Sequence, residues 1–459
     1  MSSLREHFGS KLGFVMAAIG SAIGLGILWK FPYVVGKNGG GLFLVSYIVC
    51  VLLIGLPLFI AELILGRSAQ KAAVMSIEYH QPERSGWKIA AWLGVISSFL
   101  IMSFYSVIAG YGMSYILLSL NGFYQNLSLS DVAIVYEKLS SSGPISTLWH
   151  FVFTAITAMI VFLGVRQGIE YWSKFMVKVF LLLMLGLFAY SLTLPGLSQA
   201  FDFAFKIHPE NFSASSFIEA LGLALFTLSL GQGIMISYGS YMSPKESIAK
   251  TSIIVAGSVV VVAALSALTI FPVVFSFGVE PTSGPGLVFK TLPFLFAKLP
   301  CPMLISSGFF TLFVFTALTS AVPLIEVVST NLMELFDLPR KKAVLIVSTA
   351  TFLFGLPSAF SQTNLPAMLD WTAIYGMNFL ETIDHLVSVW IIPCAGLLTS
   401  IFVGWKVSPT IAKEQFSQQG NQKVLFTFWL IMIRYIVPTV SMLILLEGSG
   451  IIDLNRLLQ

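Results

Sequence analysis

Gly20, Gly24 and Gly26 fall within seven residues at the middle of an apolar segment that runs from about Lys11 to Val35. The segment is long enough to cross a bilayer, and clustered glycines let a helix break at its centre. Unpaired backbone groups at membrane depth persist only where protein or a water-filled cavity surrounds them, so a break predicts a binding site at its own midpoint. A second interrupted stretch, FTLSLGQG at 226–233, follows about five spans later, and each break has Ser or Thr beside its glycines. Glycine also serves close packing of membrane helices, but two breaks in register favour a site. The chemistry available is recognition by backbone dipoles and hydroxyls. No nucleophile and base stand at a useful spacing within the spans, which argues against an enzyme. Cys50, Cys301 and Cys394 show neither metal-ligand nor paired spacing and are expected to be free, packed thiols.

The elements that must position these groups are membrane helices. The chain is 56% hydrophobic and 10% charged, with a mean hydropathy of +0.89, whereas a soluble domain carries roughly a quarter charged residues. This composition predicts an all-α polytopic membrane protein with the lipid bilayer as its surroundings. Windows of about 20 residues place spans at 11–35, 41–65, 88–119, 148–164, 171–194, 214–240, 247–277, 303–336, 342–357, 379–404 and 424–446, about eleven helices in one transmembrane domain covering 1–459. The first apolar segment continues through Lys30 and Pro32 without a cleavage pattern, so no secretory signal peptide is expected.

The net charge of +4 is small, and the basic residues follow membrane topology, so no nucleic-acid partner is expected. With the N-terminus cytoplasmic, Arg5, Lys11, Arg67, Lys71, Arg84, Lys88, Arg166, Lys245, Arg340, Lys341, Lys342 and Lys406 lie inside. Only Lys37, Lys138, Lys206, Lys290, Lys298 and Arg456 lie outside. The positive-inside rule selects this orientation, and an odd helix count puts the C-terminus outside. The apolar run 286–299 is too short to span and is expected to form a hairpin over an outer vestibule. Broken spans at matching positions predict a five-plus-five inverted repeat, 11–194 against 214–404, with a peripheral helix at 424–446.

The stretch GSAIGLGILWKFPYVVGKNGGGLF, with REHFGSKLGF before it, GLPLFIAELILGR in the second span, FYSVIAGY in the third, FTLSLGQG and SYGSY in the sixth and TALTS in the eighth, resembles the neurotransmitter:sodium symporter family, specifically its short prokaryotic amino-acid transporters. The resemblance covers nearly the whole chain. It implies alternating access and a central amino-acid site beside sodium. The substrate carboxylate would meet N–H groups around Gly24, Leu25 and Gly26 and the hydroxyl of Tyr105, which suits the positive end of a half-helix. The ammonium would use carbonyls of Ala22, Phe226 and Thr227 and the hydroxyl of Ser229. Ile101, Phe226, Ser229, Gln232, Ser320 and Leu324 would line the side-chain pocket. Gln232 replaces a bulky apolar residue, and either bonds a polar group on the substrate or caps unpaired carbonyls of the break. One sodium site maps to carbonyls of Gly20, Ile23 and Thr316 and hydroxyls of Thr319 and Ser320, uncharged oxygens that suit a hard monovalent cation.

The other sodium site of the family departs from pattern: Ile27 and Val259 replace its two Asn ligands, leaving Thr227. Leu223 and Ala263 occupy the neighbouring anion or acid positions, where only Tyr47 survives, so chloride is not expected and one sodium ion is. The resemblance makes Lys30 with Asp384 an outer latch, and Arg5 with Glu334, helped by Ser240 and Tyr241, an inner one. Glu62, Glu326 and Arg434 lie within spans, where an ionisable group needs a partner or a role, and structural roles come first. The reading is sodium-coupled import of an amino acid across an inner or plasma membrane. Its rivals are a proton-coupled transporter of the same fold, working through Glu62 or Glu326, and a non-transporting amino-acid sensor. Substrate identity and oligomeric state stay open.

Overall fold

The computed structural model describes residues 6–81, 86–123, 128–279, 286–416 and 423–452. Among them no strand forms, and nine uninterrupted helices are long and apolar enough to cross a membrane: Gly41–Ala69, Lys88–Leu120, Gly143–Phe162, Val165–Ser191, Ile248–Ser276, Pro302–Phe336, Arg340–Ala359, Phe379–Trp405 and Lys423–Gly448. At about 1.5 Å per residue, about 20 residues already match the hydrocarbon core. Burial sorts them. The most apolar window of Pro302–Phe336 is 83% buried and that of Lys88–Leu120 is 78%, against 28% for Val165–Ser191 and for Lys423–Gly448. The first pair forms the centre of the bundle, and the second pair faces outward.

The two remaining apolar segments are interrupted and contribute to this centre. Helix Lys11–Ala22 opens on Ser10, whose hydroxyl accepts the Gly13 N–H, and helix Leu25–Lys37 follows after Ile23 and Gly24. Gly24 is the extended residue between the helices. Gly20 and Gly26 lie within helix, and a Cβ would sit 2.9 Å from Thr319 Cβ at the first and 3.3 Å from the Phe226 ring at the second. The extended backbone of Gly24 is open to any residue, but a Cβ there would lie 3.3 Å from Ser320 Oγ, so all three glycines permit close approach around the break.

Helix Ala214–Thr227 and helix Ile234–Ser240 flank the second break. Ser229, Gly231 and Gly233 there take positive φ values of 54°, 69° and 71°. Left-handed backbone at a serine is costly and persists where surrounding bonds over-determine it. The Ser229 hydroxyl donates to Ser21 O at 2.9 Å and accepts from Ser21 Oγ at 3.1 Å, which ties the second break to the first. Neighbouring spans satisfy the other freed groups. Ser97 and Ser98 of Lys88–Leu120 donate to Gly231 O at 3.4 Å and Gln232 O at 2.7 Å. Gly231 N–H donates to Glu62 Oε1 at 2.8 Å. Glu62, 1% exposed, thereby has the structural role expected of an intramembrane carboxyl group.

Three expectations change. Residues 287–296 form one short helical segment, Leu287–Thr291 continued by Leu292–Phe296, instead of a hairpin. Pro293 stands in the first turn of the second piece, where a missing N–H is tolerated, so it does not reverse the chain. Phe289 anchors this segment inward, stacking on Tyr136 at 5.6 Å and lying 5.1 Å from the Tyr115 ring. Cys301 is exposed, at the start of Pro302–Phe336, and is not a packed thiol, whereas Cys50 is buried. Tyr241 donates to Glu326 Oε1 at 2.6 Å, and Arg340 grips both oxygens of the same carboxylate at 2.7 and 2.8 Å. Tyr241 thus serves a Glu326–Arg340 ion pair that the sequence did not assign to it, while Arg5 of the expected Arg5–Glu334 pair lies outside the described residues.

Glu62→Leu leaves the Gly231 N–H without its acceptor in a buried site, a loss of about 1–3 kcal/mol. Glu62→Gln retains an oxygen there. The expected outcome is a lowered melting temperature for Glu62→Leu in detergent and a near-normal one for Glu62→Gln. Equal melting of Glu62→Leu and the parent would show that this bond does not hold the second break.

Candidate binding site between the two helix breaks

The breaks face each other across a cavity with about 370 Å³ of space, part of it open to solvent. Its lining comprises Ser21, Ala22, Gly24, Gly26, Ile27, Ile101, Tyr105, Phe226, Thr227, Ser229, Gln232, Ser320 and Leu324. The fold thus brings together all the expected substrate-site residues except Leu25, whose side chain packs in the core. Leu25 takes part through its backbone, donating its N–H to Tyr105 Oη at 3.3 Å. Having accepted that bond, the phenol retains its one donor. The N-terminus of Leu25–Lys37 lies beside this hydroxyl, and the first N–H groups of a helix have no intrahelical partners. Helix end and phenol together form an anion-attracting corner without a cationic side chain.

A cluster of oxygens lies behind this corner. Ser320 Oγ stands 3.2 Å from each of the carbonyl oxygens of Gly20, Ser21 and Ile23. A hydroxyl has a single hydrogen, and Ser21 O already accepts the Ser229 hydroxyl, so the carbonyls of Gly20 and Ile23 share what one donor can offer and keep lone pairs that a cation could use. Thr319 Oγ1, one residue away, bonds Phe315 O and Thr316 O at 3.0 Å each, one turn back in its own helix. The donor set is oxygen only and uncharged, which fits a hard monovalent ion and no transition metal. Among the described residues no group of three or more His, Cys, Asp or Glu side chains could hold a metal ion.

The environment on the other side of the first break is apolar. Ile27 and Val259 are fully buried, and Leu223 and Ala263 are also buried. The two surviving oxygens of that region bond each other, Tyr47 Oη to Thr227 Oγ1 at 2.8 Å. Thr227 Oγ1 also lies 3.4 Å from Ala224 O.

The expected latch residues have diverse surroundings. Lys30 is exposed, and Asp384 accepts the Ser388 hydroxyl at 3.1 Å; among the described residues no ion pair joins the two. Both carboxylate oxygens of Glu334 lie 2.9 Å from the Ala72 N–H. Arg5 lies outside the described residues. Reasoning from sequence missed Ser21, Ser97 and Ser98, which complete the breaks. A serine beside the first glycine cluster and a Ser-Ser pair in the third span were the available signals. It also missed Arg340 as the partner of Glu326, although a lone intramembrane acid called for a base nearby.

The chain can now be set beside other proteins. The sodium:neurotransmitter symporter family model matches residues 5–129 and 124–455. The uncharacterized sodium-dependent transporter YhdH of Bacillus subtilis (strain 168) is 36% identical over 449 residues, covering 97% of this chain and 98% of that protein. The uncharacterized sodium-dependent transporter MJ1319 of Methanocaldococcus jannaschii is 31% identical, covering 96% of this chain and 89% of its own length. Among solved structures, MhsT in complex with L-phenylalanine superposes with a TM-score of 0.89 at 35% identity, covering 97% of this chain and 100% of that one. Interrupted helices around one cavity and similarity along nearly the full length lead to the same conclusion: this multi-pass membrane protein belongs to the sodium:neurotransmitter symporter family of transporters.

Proposed function

We propose that this protein imports a zwitterionic α-amino acid by alternating access, coupled to one sodium ion per cycle and performing no covalent chemistry. The observation that carries the reading is the convergence of the Gly20 and Ile23 carbonyls on the single Ser320 hydroxyl, beside an anion-attracting helix end. Sodium, carried as cargo, takes its ligands from Gly20, Ile23, Thr316, Thr319 and Ser320. The carboxylate lies against the Gly24, Leu25 and Gly26 backbone and Tyr105. The ammonium meets Ala22, Phe226 and Thr227 carbonyls and Ser229. The similarity to MhsT, solved with L-phenylalanine, supports an amino acid as the substrate class.

The single-ion stoichiometry rests on the buried Ile27 and Val259. Their side chains offer no oxygen, and incomplete replacement of an ion's hydration costs several kcal/mol. One charge crossing about 100 mV supplies about 2.3 kcal/mol. A tenfold sodium gradient adds roughly 1.4 kcal/mol, so one ion sustains on the order of 500-fold accumulation. Eleven crossings, nine uninterrupted and two broken, form two inverted five-helix repeats with a peripheral helix, the N-terminus inside and the C-terminus outside. Lys30 with Asp384 closes the outer side, and Arg5 with Glu334 the inner side. Proton coupling through Glu326 is disfavoured because both its oxygens are already engaged by Arg340 and one also by Tyr241, a structural role.

Three experiments follow from this reading. Tyr105→Phe is expected to weaken amino-acid binding roughly ten- to a hundredfold, the worth of one hydrogen bond to a charged group. Decarboxylated analogues that bind as well as their parent amino acids would refute the carboxylate assignment. In proteoliposomes, the reversal potential of uptake is expected to give one sodium per amino acid, and Thr319→Ala with Ser320→Ala to abolish sodium dependence. A ratio of two, or uptake driven by protons without sodium, contradicts the scheme. Lys30→Ala is expected to slow transport severalfold while leaving equilibrium binding nearly intact, because exposed pairs contribute only about 0–1 kcal/mol; unchanged uptake by the Lys30→Ala, Asp384→Ala double variant would remove the latch.

A further inference from the structure

Gln232 lines the cavity and is 3% exposed. Among the described residues its side-chain amide makes no hydrogen bond, although its backbone carbonyl accepts from Ser98 at 2.7 Å. The neighbouring Gly231 carbonyl receives Ser97 and the Gly231 N–H is held by Glu62. Other residues already satisfy these groups of the second break, so Gln232 is not needed to cap them. What remains is, among the described residues, a primary amide without a hydrogen-bond partner on a residue that lines the cavity.

A buried amide without partners is costly, and the cost is recovered only if a ligand supplies both an acceptor and a donor. The large apolar residues of the lining are Ile27, Ile101, Phe226 and Leu324, and its hydroxyls are those of Ser21, Tyr105, Thr227, Ser229 and Ser320, which serve the breaks, the ion and the backbone of the amino acid in the reading above. No Asp, Glu, Lys or Arg lines the cavity, so an ionised substrate side chain would be buried without a countercharge. A hydroxyl has one hydrogen and closes one bond well. A carboxamide closes both, pairing C=O with NH2 in each direction.

Resting on the amino-acid reading above, we propose that the substrate is a neutral amino acid bearing a side-chain carboxamide, and that Gln232 selects it by a two-bond amide pair over Ile101 and Phe226. A site built around a polar partner rejects the shape-matched apolar analogue strongly, because that analogue strands the amide; an apolar pocket discriminates only weakly by size.

The test is equilibrium binding to the full-length protein in lipid nanodiscs with sodium, comparing L-glutamine and L-asparagine with L-homoleucine, in which an isopropyl group replaces the carboxamide of glutamine. The parent protein is expected to bind one of the carboxamides at least tenfold more tightly than homoleucine. Gln232→Leu and Gln232→Met are expected to abolish or reverse that preference while still binding homoleucine. Homoleucine, leucine or a hydroxylated amino acid binding the parent more tightly than either carboxamide overturns the proposal and leaves the amino-acid reading standing. Binding of no amino acid at all overturns both. The ratio measured on the parent protein decides the matter even if a variant fails to fold, and an unchanged ratio in a folded variant removes Gln232 from selection.

Discussion

Backbone groups freed inside a membrane have no water to bond, and every break in a helix there must be satisfied by protein, ligand or enclosed solvent. That constraint explains most of the polar architecture of this protein. Tyr105 takes the Leu25 N–H, Glu62 takes the Gly231 N–H, and Ser97 and Ser98 take the carbonyls of the second break. The Ser21–Ser229 contact joins the breaks, so the two interrupted helices cannot shift independently without losing paired groups. Groups that remain under-satisfied are correspondingly informative. Among those that line the cavity are the Gly20 and Ile23 carbonyls sharing the Ser320 hydroxyl and the Gln232 amide, where capacity is left for an ion and for a substrate.

Polarity is distributed unequally about the first break. On one side carbonyls crowd around Ser320, and on the other Ile27 and Val259 fill the space with hydrocarbon. An ion placed on the first side contacts the same backbone turn that carries Gly24, so its occupancy and the position of the carboxylate corner are mechanically linked. In the proposed scheme sodium would then affect substrate binding through the shape of the break, without direct contact between ion and carboxylate. The inner side relies on stronger restraint. Arg340, Glu326 and Tyr241 form a buried charged cluster across the turn between Pro302–Phe336 and Arg340–Ala359. Removing one partner of such a pair typically costs about 3–5 kcal/mol, which suits a fixed hinge point more than a latch.

Much of the fold was legible because its signals are local. Glycine clusters within apolar windows marked both breaks, and the hydroxyls of TALTS sat at helical spacing toward the first. The last helix, Lys423–Gly448, is little buried, as is Val165–Ser191 of the expected first repeat. What was not legible depends on contacts between residues far apart in sequence. Ser21 and Ser229 are separated by 208 positions, and Gly231 and Glu62 by 169. No periodicity encodes such pairs. The role of Gln232 was undecidable from sequence for a related reason: whether an amide caps carbonyls depends on whether Ser97 and Ser98 reach them first. The short segment around Phe289 was misjudged because its length shows that the run cannot span, not whether it folds back on itself or stays one helix.

The central claim is that only one of the two ion positions around the first break retains enough oxygen to hold a cation. Equilibrium dialysis of radioactive sodium against the purified protein, at saturating amino acid, counts bound ions directly without reference to flux. The account predicts one sodium ion per chain, lost when Thr319 and Ser320 are both replaced by alanine. Two ions per chain, or one ion that survives that double replacement, would contradict it.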